Sequence, residues 1–236
     1  MNWRLHSVDT TVSTNLDAHA GRHGDVYTAE FQTGGRGRLD HRWLAPRGVN
    51  LTFSAVFDVS GLAPQEIVTF PLVVGLALIE AVRADVPPVA PPLVLKWPND
   101  VLSGARKLAG ILCERVGEHV IAGIGLNVNE VEFAPEIAAR ATSLASLAGH
   151  AFDRVRVRAR VLDTLYAAHA CWRRDGFAAF APACAAVDAL AGRTVTVCQT
   201  DHDPAPVTGY CAGIQRDGTL LVGTTRIYAG EAHVLI

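Results

Sequence analysis

The stretch Gly34-Gly35-Arg36-Gly37-Arg38 alternates the most flexible residue with the residue best shaped to grip oxyanions. It follows a run from Val26 to Phe31 that predicts a strand, and that strand ends at the polar Gln32. Glycine lets backbone amides approach a ligand closely, and each guanidinium offers a fixed fork of donors. The pattern therefore predicts an anion-binding loop at a sheet edge, although a solvated surface turn could have the same sequence.

Two familiar phosphate-binding loops do not fit this chain. A Walker A loop needs Gly-Lys followed by Ser or Thr, and the chain contains no Gly-Lys pair. A dinucleotide-binding fingerprint needs a third small residue, but Gly35-Arg36-Gly37 leads to Asp40 and Gly123-Ile124-Gly125 leads to Val128. The sequence excludes both loops.

Composition predicts a soluble globular protein of one or two domains. The chain has 236 residues, of which 50% are hydrophobic and 19% charged. Its net charge of −2 provides no overall positive field that would attract nucleic acid. The first residues lack the apolar core of a signal peptide, and no apolar run is expected to reach the length needed to span a bilayer, so we expect a cytoplasmic protein without membrane contact. The five cysteines are scattered without a Cys-x-x-Cys pair, which argues against structural disulfides and a zinc site.

Hydrophobic periodicity predicts alternating helices and strands, followed by a β-rich tail. The predicted elements are a helix from Gln65 to Ala84 that Pro71 kinks or restarts, a strand from Leu93 to Trp97, a hairpin of Ile111 to Val116 and His119 to Val128, and helices from Arg154 to Arg173 and Phe177 to Val187. After Gly192 the chain has only short strands with glycine turns. We expect a small barrel-like domain there, packed on a larger one, with the boundary near residue 190.

Polar clusters stand at the predicted strand ends. Lys96-Trp97-Pro98-Asn99-Asp100 ends an apolar strand, and a lysine in that setting needs an anionic partner or a route to solvent. Together with Arg36, Arg38 and Lys107, Lys96 gives four separated cations, which suits a ligand with several negative oxygens such as a nucleotide polyphosphate. A phosphate-binding module without catalysis would suit the same charges.

Four motifs in this order and spacing resemble those of biotin protein ligases. They are Gly34 to Arg38 with Trp43 following, Lys96 to Asp100, Lys107-Leu108-Ala109-Gly110-Ile111-Leu112, and Gly125-Leu126-Asn127. The resemblance runs from Ser13-Thr14-Asn15 to the tail. It implies an α+β fold: a catalytic domain like that of class II aminoacyl-tRNA synthetases, with a mixed sheet and helices, over residues 1–189, and an SH3-like domain over residues 190–236.

The resemblance also implies an activity. The carboxylate of biotin would attack the α-phosphate of ATP to give biotinyl-5'-AMP and pyrophosphate, and a lysine of a biotin carboxyl carrier protein would then take the biotinyl group. Joining two anions requires positive charge on both sides of the new bond, and Mg²⁺ would neutralise the phosphate oxygens. No protein ligand to that metal is identified.

Individual roles follow by matching positions to the family's motifs. Catalytic roles fall on Lys107 and Arg38, and less clearly on Asp100, whose alternatives are to orient a cation or to receive a proton. The residues implied for biotin are Ser13, Thr14, Asn15, Gln32, Arg36, Gly37, Arg38, Lys107, Gly123 and Gly125. Those implied for ATP or the adenylate are Arg36, Arg38, Trp43, Lys96, Asn99, Lys107 and Asn127, with Asn127 recognising adenine. The alternatives are a helix cap for Ser13 and Thr14, a solvated strand end for Gln32, and packing for Trp43 and Trp97.

Other functions compete with this interpretation. A lipoate or octanoate ligase or transferase would share the fold but carry a different glycine-rich signature, and a non-enzymatic biotin-binding regulator would not need so many cations. Asp40 stands where many relatives have glycine, which affects the loop's conformation. Because only about a dozen residues precede Ser13, too few for a helix-turn-helix module, we expect no direct DNA binding. The protein could be a monomer or a homodimer.

Overall fold

A computed structural model describes residues 3–39, 41–87, 90–198 and 205–235. Asp40, Pro88 and Val89 lie outside the described residues. The strands are β1 (Arg4–Thr11), β2 (Asp25–Gln32), β3 (Leu51–Asp58), β4 (Leu93–Lys96), β5 (Asp100–Ser103), β6 (Arg106–Val116), β7 (His119–Leu126), β8 (Thr194–Cys198), β9 (Val207–Ile214), β10 (Leu220–Val222), β11 (Thr225–Ile227) and β12 (Glu231–Val234). The α-helices are α1 (Thr14–Asp17), α2 (Pro64–Ile67), α3 (Phe70–Val82), α4 (Pro135–Ala138), α5 (Leu144–Ala148), α6 (Arg154–Asp175) and α7 (Ala181–Ala186).

The larger sheet is mixed, as expected, with strand order β1-β2-β3-β7-β6-β5-β4. Only β1 and β2 pair in parallel, and the other neighbours are antiparallel. The central strands β3 and β7 are buried along almost their whole length, whereas the side chains of the edge strand β1 are exposed. The predicted hairpin is confirmed, since β6 and β7 are joined at Gly117 and Glu118.

Helices α3 and α6 pack against each other and cover one face of this sheet. The predicted restart at Pro71 is confirmed, because α3 begins at Phe70 and has the proline in its first turn. We expected no apolar run long enough to span a bilayer, and this expectation was wrong. By length and composition alone, Pro64–Asp85 is long and apolar enough to cross one. Two-thirds (67%) of its most apolar 18-residue stretch is buried inside the protein, as in the core helix of a globular domain.

The β-rich tail forms a five-stranded antiparallel sheet in the order β11-β10-β9-β8-β12. It shares one hydrophobic core with the larger sheet, through residues such as Val195, Val197 and Cys211. Asp188, just after α7, accepts hydrogen bonds from the amides of Leu190 and Ile214 at 2.8 Å. The boundary predicted near residue 190 falls in this connection between α7 and β8.

Candidate active site

A cleft lies over the glycine-rich parts of β6 and β7, and its volume is about 830 Å³ when the solvent space at its open mouth is included. Its walls come from α1, β2, β3 and β4 and the loop after β2, and Glu231 of the C-terminal sheet closes one side. The cleft is lined by fourteen of the fifteen residues for which the sequence implied a role: Ser13, Thr14, Asn15, Gln32, Arg36, Gly37, Arg38, Trp43, Lys96, Asn99, Asp100, Lys107, Gly123 and Gly125. Asn127 is the exception.

One end of the cleft is a preassembled set of hydroxyl and amide groups. Gln32 Oε1 accepts from the Thr14 backbone amide at 2.8 Å and from Thr14 Oγ1 at 3.1 Å. Thr14 Oγ1 also lies 2.7 Å from Ser54 Oγ, which donates to Asn15 Oδ1 at 2.6 Å. Ser13 stands at the N-cap of α1 without a side-chain capping hydrogen bond, so the helix-cap alternative for it has no support.

Glu114 connects this polar end to the arginine loop. Its Oε2 accepts from Asn15 Nδ2 at 2.7 Å, and its Oε1 lies 3.0 Å from Arg36 Nη1. No role for Glu114 was predicted from the sequence. The available signal was a lone carboxylate after the apolar half of β6, but nothing local indicated its partners about eighty and one hundred residues away.

The glycine-arginine loop folds back on itself. Arg36 and Arg42 form an antiparallel bridge, and the Gly37 amide donates to the His41 carbonyl at 2.7 Å. Arg38 Nη1 donates to the carbonyl of Gly230 at 3.0 Å, so the loop is held against the C-terminal sheet. Burial lowers the pKa of the Arg38 guanidinium, while the carboxylates of Glu231 and Asp100 oppose that shift. Arg38 is therefore not a freely solvated turn residue.

Lys107 and Trp43 lie together at the centre of the cleft. Lys107 Nζ is 2.7 Å from Asp100 Oδ1 and 5.9 Å from the centroid of the Trp43 ring. The ring can lie there because the neighbouring strand residue is glycine: a Cβ on Gly125 would be 2.2 Å from Trp43 Cε2. Lys96 lines the cleft without an ion-pair partner among the described residues. Two lysine side chains, those of Lys96 and Lys107, thus line the cleft.

The Trp97-Pro98-Asn99 turn is hydrogen-bonded to β6 beside the cleft. Asn99 Nδ2 donates to the Ile111 carbonyl at 2.7 Å, and the Ile111 amide donates back to the Asn99 carbonyl at 3.0 Å. Trp97 is buried, and its Nε1 donates to the carbonyl of Gly218 at 3.1 Å. The packing alternative for Trp97 therefore has direct support.

Asn127 is buried beneath the cleft. Its Nδ2 donates to the carbonyls of Thr142 at 3.0 Å and Lys107 at 3.4 Å, and its Oδ1 lies 3.4 Å from Asn50 Nδ2. A role in reading a base edge would require this amide to face the cleft, whereas here two backbone carbonyls and the Asn50 side chain contact its polar atoms. Adenine recognition by Asn127 stays a prediction.

Comparison with known proteins gives consistent matches. Residues 4–129 match the model of the biotin/lipoate A/B protein ligase family. The chain is 40% identical over 180 residues to a biotin–[acetyl-CoA-carboxylase] ligase of Mycobacterium tuberculosis, an alignment that covers 72% of this chain and 66% of that protein. It is 32% identical to a ligase of the same name from Paracoccus denitrificans, covering 92% of each chain.

A solved structure extends the likeness to the whole fold. The biotin protein ligase of Aquifex aeolicus in complex with biotin and ATP superposes with a TM-score of 0.84 at 30% identity, and the match covers 98% of both chains. The expected fold is thereby confirmed, with a mixed catalytic sheet followed by a small β domain.

Proposed function

The chain belongs to the biotin/lipoate A/B protein ligase family, and we propose that it activates biotin with ATP to biotinyl-5'-AMP and transfers the biotinyl group to a lysine of a carrier protein. The observation that carries the proposal is the division of the cleft. One end is a hydrogen-bonded set of neutral groups around Thr14 and Gln32, and the other gathers Lys96, Lys107 and Arg38. A ligand with a neutral polar head and an anionic tail fits that division.

The neutral end suits the ureido ring of biotin. That ring has fixed donors and an acceptor, and the hydroxyl and amide groups of Ser13, Thr14, Asn15 and Gln32 can match them. Most of these groups are already held in place by hydrogen bonds to one another or to Ser54. The site therefore loses little side-chain entropy when the ring binds.

The cationic end suits the reacting groups. In the first step a carboxylate oxygen of biotin bonds to the α-phosphorus as the bond to the pyrophosphate oxygen breaks. Two unit charges 4 Å apart interact by about 4 kcal/mol at an effective dielectric constant of 20, so each cation near the two anions lowers the barrier appreciably. Asp100 holds Lys107 at 2.7 Å before substrate arrives, and the biotin carboxylate and phosphate would compete for that ammonium.

Mg²⁺ would reach the site on the phosphates of ATP. The described residues hold no group of three or more histidine, cysteine, aspartate or glutamate side chains suited to a metal, and Asp100 is engaged by Lys107. Mg²⁺ commonly binds through substrate phosphates and retained waters rather than an all-protein cage. When bound, it would neutralise the phosphate oxygens and the leaving pyrophosphate.

In the second step the ε-amine of the acceptor lysine attacks the acyl carbon, AMP leaves, and the nitrogen loses a proton. The partner is a biotin carboxyl carrier protein or domain, and the reaction belongs in the cytoplasm, where ATP and carboxylases are available. The loop from Gly34 to Arg38, closed against the C-terminal sheet at Gly230, would shield the reactive anhydride from water until that lysine enters.

Exchange of labelled pyrophosphate into ATP, measured with biotin and in parallel with lipoate, tests the proposal. We expect exchange with biotin and little with lipoate. Lys107→Ala should abolish exchange, whereas Arg106→Ala, which removes the exposed neighbouring cation outside the cleft, should retain it. Exchange that depends on lipoate instead of biotin, or equal loss in both variants, would overturn the assignment.

A further inference from the structure

A buried polar network lies behind the cleft, centred on Asn50. This residue ends the loop that carries Trp43, and its side chain is 4% exposed. Its Oδ1 accepts from the Val128 amide at 2.9 Å, and its Nδ2 donates to Glu130 Oε2 at 2.5 Å. Asn50 thus ties the end of that loop to the chain segment that follows β7.

The same amide reaches Asn127. Asn50 Nδ2 lies 3.4 Å from Asn127 Oδ1, which fixes the orientation of the Asn127 side chain. In that orientation Asn127 Nδ2 faces the carbonyls of Thr142 and Lys107. If the Asn127 amide turned over, its oxygen would face two carbonyl oxygens, which is electrostatically unfavourable.

Hydrogen bonds to neighbouring segments therefore hold the backbone of Lys107 in place. Its amide donates to the Arg140 carbonyl at 2.7 Å, and its carbonyl accepts from the Thr142 amide at 3.0 Å as well as facing Asn127. Its ammonium group is the cation paired with Asp100 beside Trp43. Asn50 is linked to Trp43 through the chain and to Lys107 through Asn127.

We propose that Asn50 is a positioning residue for adenylation, which acts through Asn127 to keep the Lys107 ammonium aligned with the loop that carries Trp43. The inference rests on the proposed function. Asn50 does not line the cleft, so its effect on the rate is indirect. Its buried partner Glu130 keeps the network specific, because a carboxylate there demands a donor from residue 50.

A charge-preserving exchange separates positioning from folding. In N50D/E130Q the residue at 50 still accepts from the Val128 amide, and the new glutamine donates to the new carboxylate, so the hydrogen bond survives with its direction reversed. The network still carries one carboxylate. The donor to Asn127 is lost, however, and a carboxylate oxygen now faces Asn127 Oδ1.

The parent enzyme must first show biotin-dependent pyrophosphate exchange, and failure there would refute the proposed function rather than this inference. For N50D/E130Q we expect kcat for exchange to fall at least tenfold while biotin affinity, measured by calorimetry without ATP, stays within twofold. E130Q alone keeps an acceptor for Asn50 and should exchange at the parental rate. N50A/E130A, which also removes the donor to Asn127 but leaves no carboxylate, should show the same fall in kcat if N50D/E130Q does not fold.

Asn129→Asp is the matched control. Asn129 lies two residues beyond Asn127, and its side-chain amide bonds to the Phe152 backbone at 2.8 and 2.9 Å. We expect this variant to unfold at lower urea and to keep the parental kcat per folded molecule. A parental kcat in N50D/E130Q or N50A/E130A would overturn the inference, as would a loss of biotin affinity equal to the loss of kcat.

Discussion

Gly123→Ala should damage the polar end of the cleft through one added carbon atom. A Cβ at position 123 would lie 2.0 Å from Asn15 Oδ1, where real Cβ atoms essentially never come within 3.0 Å. Asn15 would have to retreat by about 1 Å, and its hydrogen bonds at 2.6 Å from Ser54 and 2.7 Å to Glu114 would lengthen past the usual limit.

The magnitude follows from those two bonds. A neutral hydrogen bond contributes about 0.5–1.5 kcal/mol and one to a charged group about 1.5–3 kcal/mol, so the variant should lose about 2–4.5 kcal/mol of stability. Because Asn15 belongs to the proposed biotin site, affinity should fall by about tenfold or more, which corresponds to about 1.4 kcal/mol.

Urea unfolding and calorimetric titration with biotin measure the two effects. Gly209→Ala is the control, because a Cβ on this strand glycine of the C-terminal sheet would meet neighbours no closer than 3.4 Å, an ordinary contact. We expect Gly209→Ala to keep both values. If Gly123→Ala matched the parent in stability and biotin affinity, the close packing of Asn15 on β7 would not matter to the site.

Two further predictions concern the loop and the core. Arg38→Gly removes the guanidinium that donates to Gly230. Because a hydrogen bond from a charged group contributes about 1.5–3 kcal/mol, the adenylate should escape from the variant about ten to a hundred times faster, as measured by filtration of labelled intermediate. Retention of the intermediate at the parental level would contradict the loop's role. Burial lowers the pKa of His169 to about 4 from 6.5, so below pH 6.5 the unfolded chain binds a proton that the folded protein excludes. The free energy of unfolding should therefore fall by up to about 3 kcal/mol between pH 6.5 and 4. His169→Gln, which can still donate to the Asp58 carbonyl, should reduce this dependence of the unfolding free energy on pH, as measured by urea titrations. An unchanged pH dependence would contradict the assignment.

The sequence predicted elements that carry their own periodicity. The helix expected from Arg154 to Arg173 runs to Asp175, with Val157, Val161 and Leu165 on its buried face at intervals of four residues. Strands β1 and β3 were not predicted. β1 is a polar edge strand without a buried face, so it lacks the alternation typical of a half-buried strand. β3 does alternate, with Leu51, Phe53 and Phe57 on one side and Thr52, Ser54 and Asp58 on the other, so this strand could have been predicted from the sequence.

At the site, local motifs supplied the residue types but not their distant partners. Arg36, Lys107 and Gly125 could be found because each stands in a short recognisable stretch. Glu114 and Asn50 could not, since their roles come from contacts with residues 77 to 99 positions away in sequence. Asn127 shows most clearly what local sequence leaves open. An amide after a glycine-rich strand is compatible with base recognition and with structural hydrogen bonds, and only its distant partners distinguish the two.

The C-terminal sheet adds a feature that no boundary drawn along the chain could predict. Gly230 accepts from Arg38 and Glu231 lines the cleft, although both lie well beyond the boundary near residue 190. A loop that must close over a reactive intermediate needs a surface to close against, and here a different sheet supplies it. The small domain is therefore part of the proposed reaction site, and changes that loosen its packing on the larger sheet should act on retention of the intermediate before they act on biotin binding.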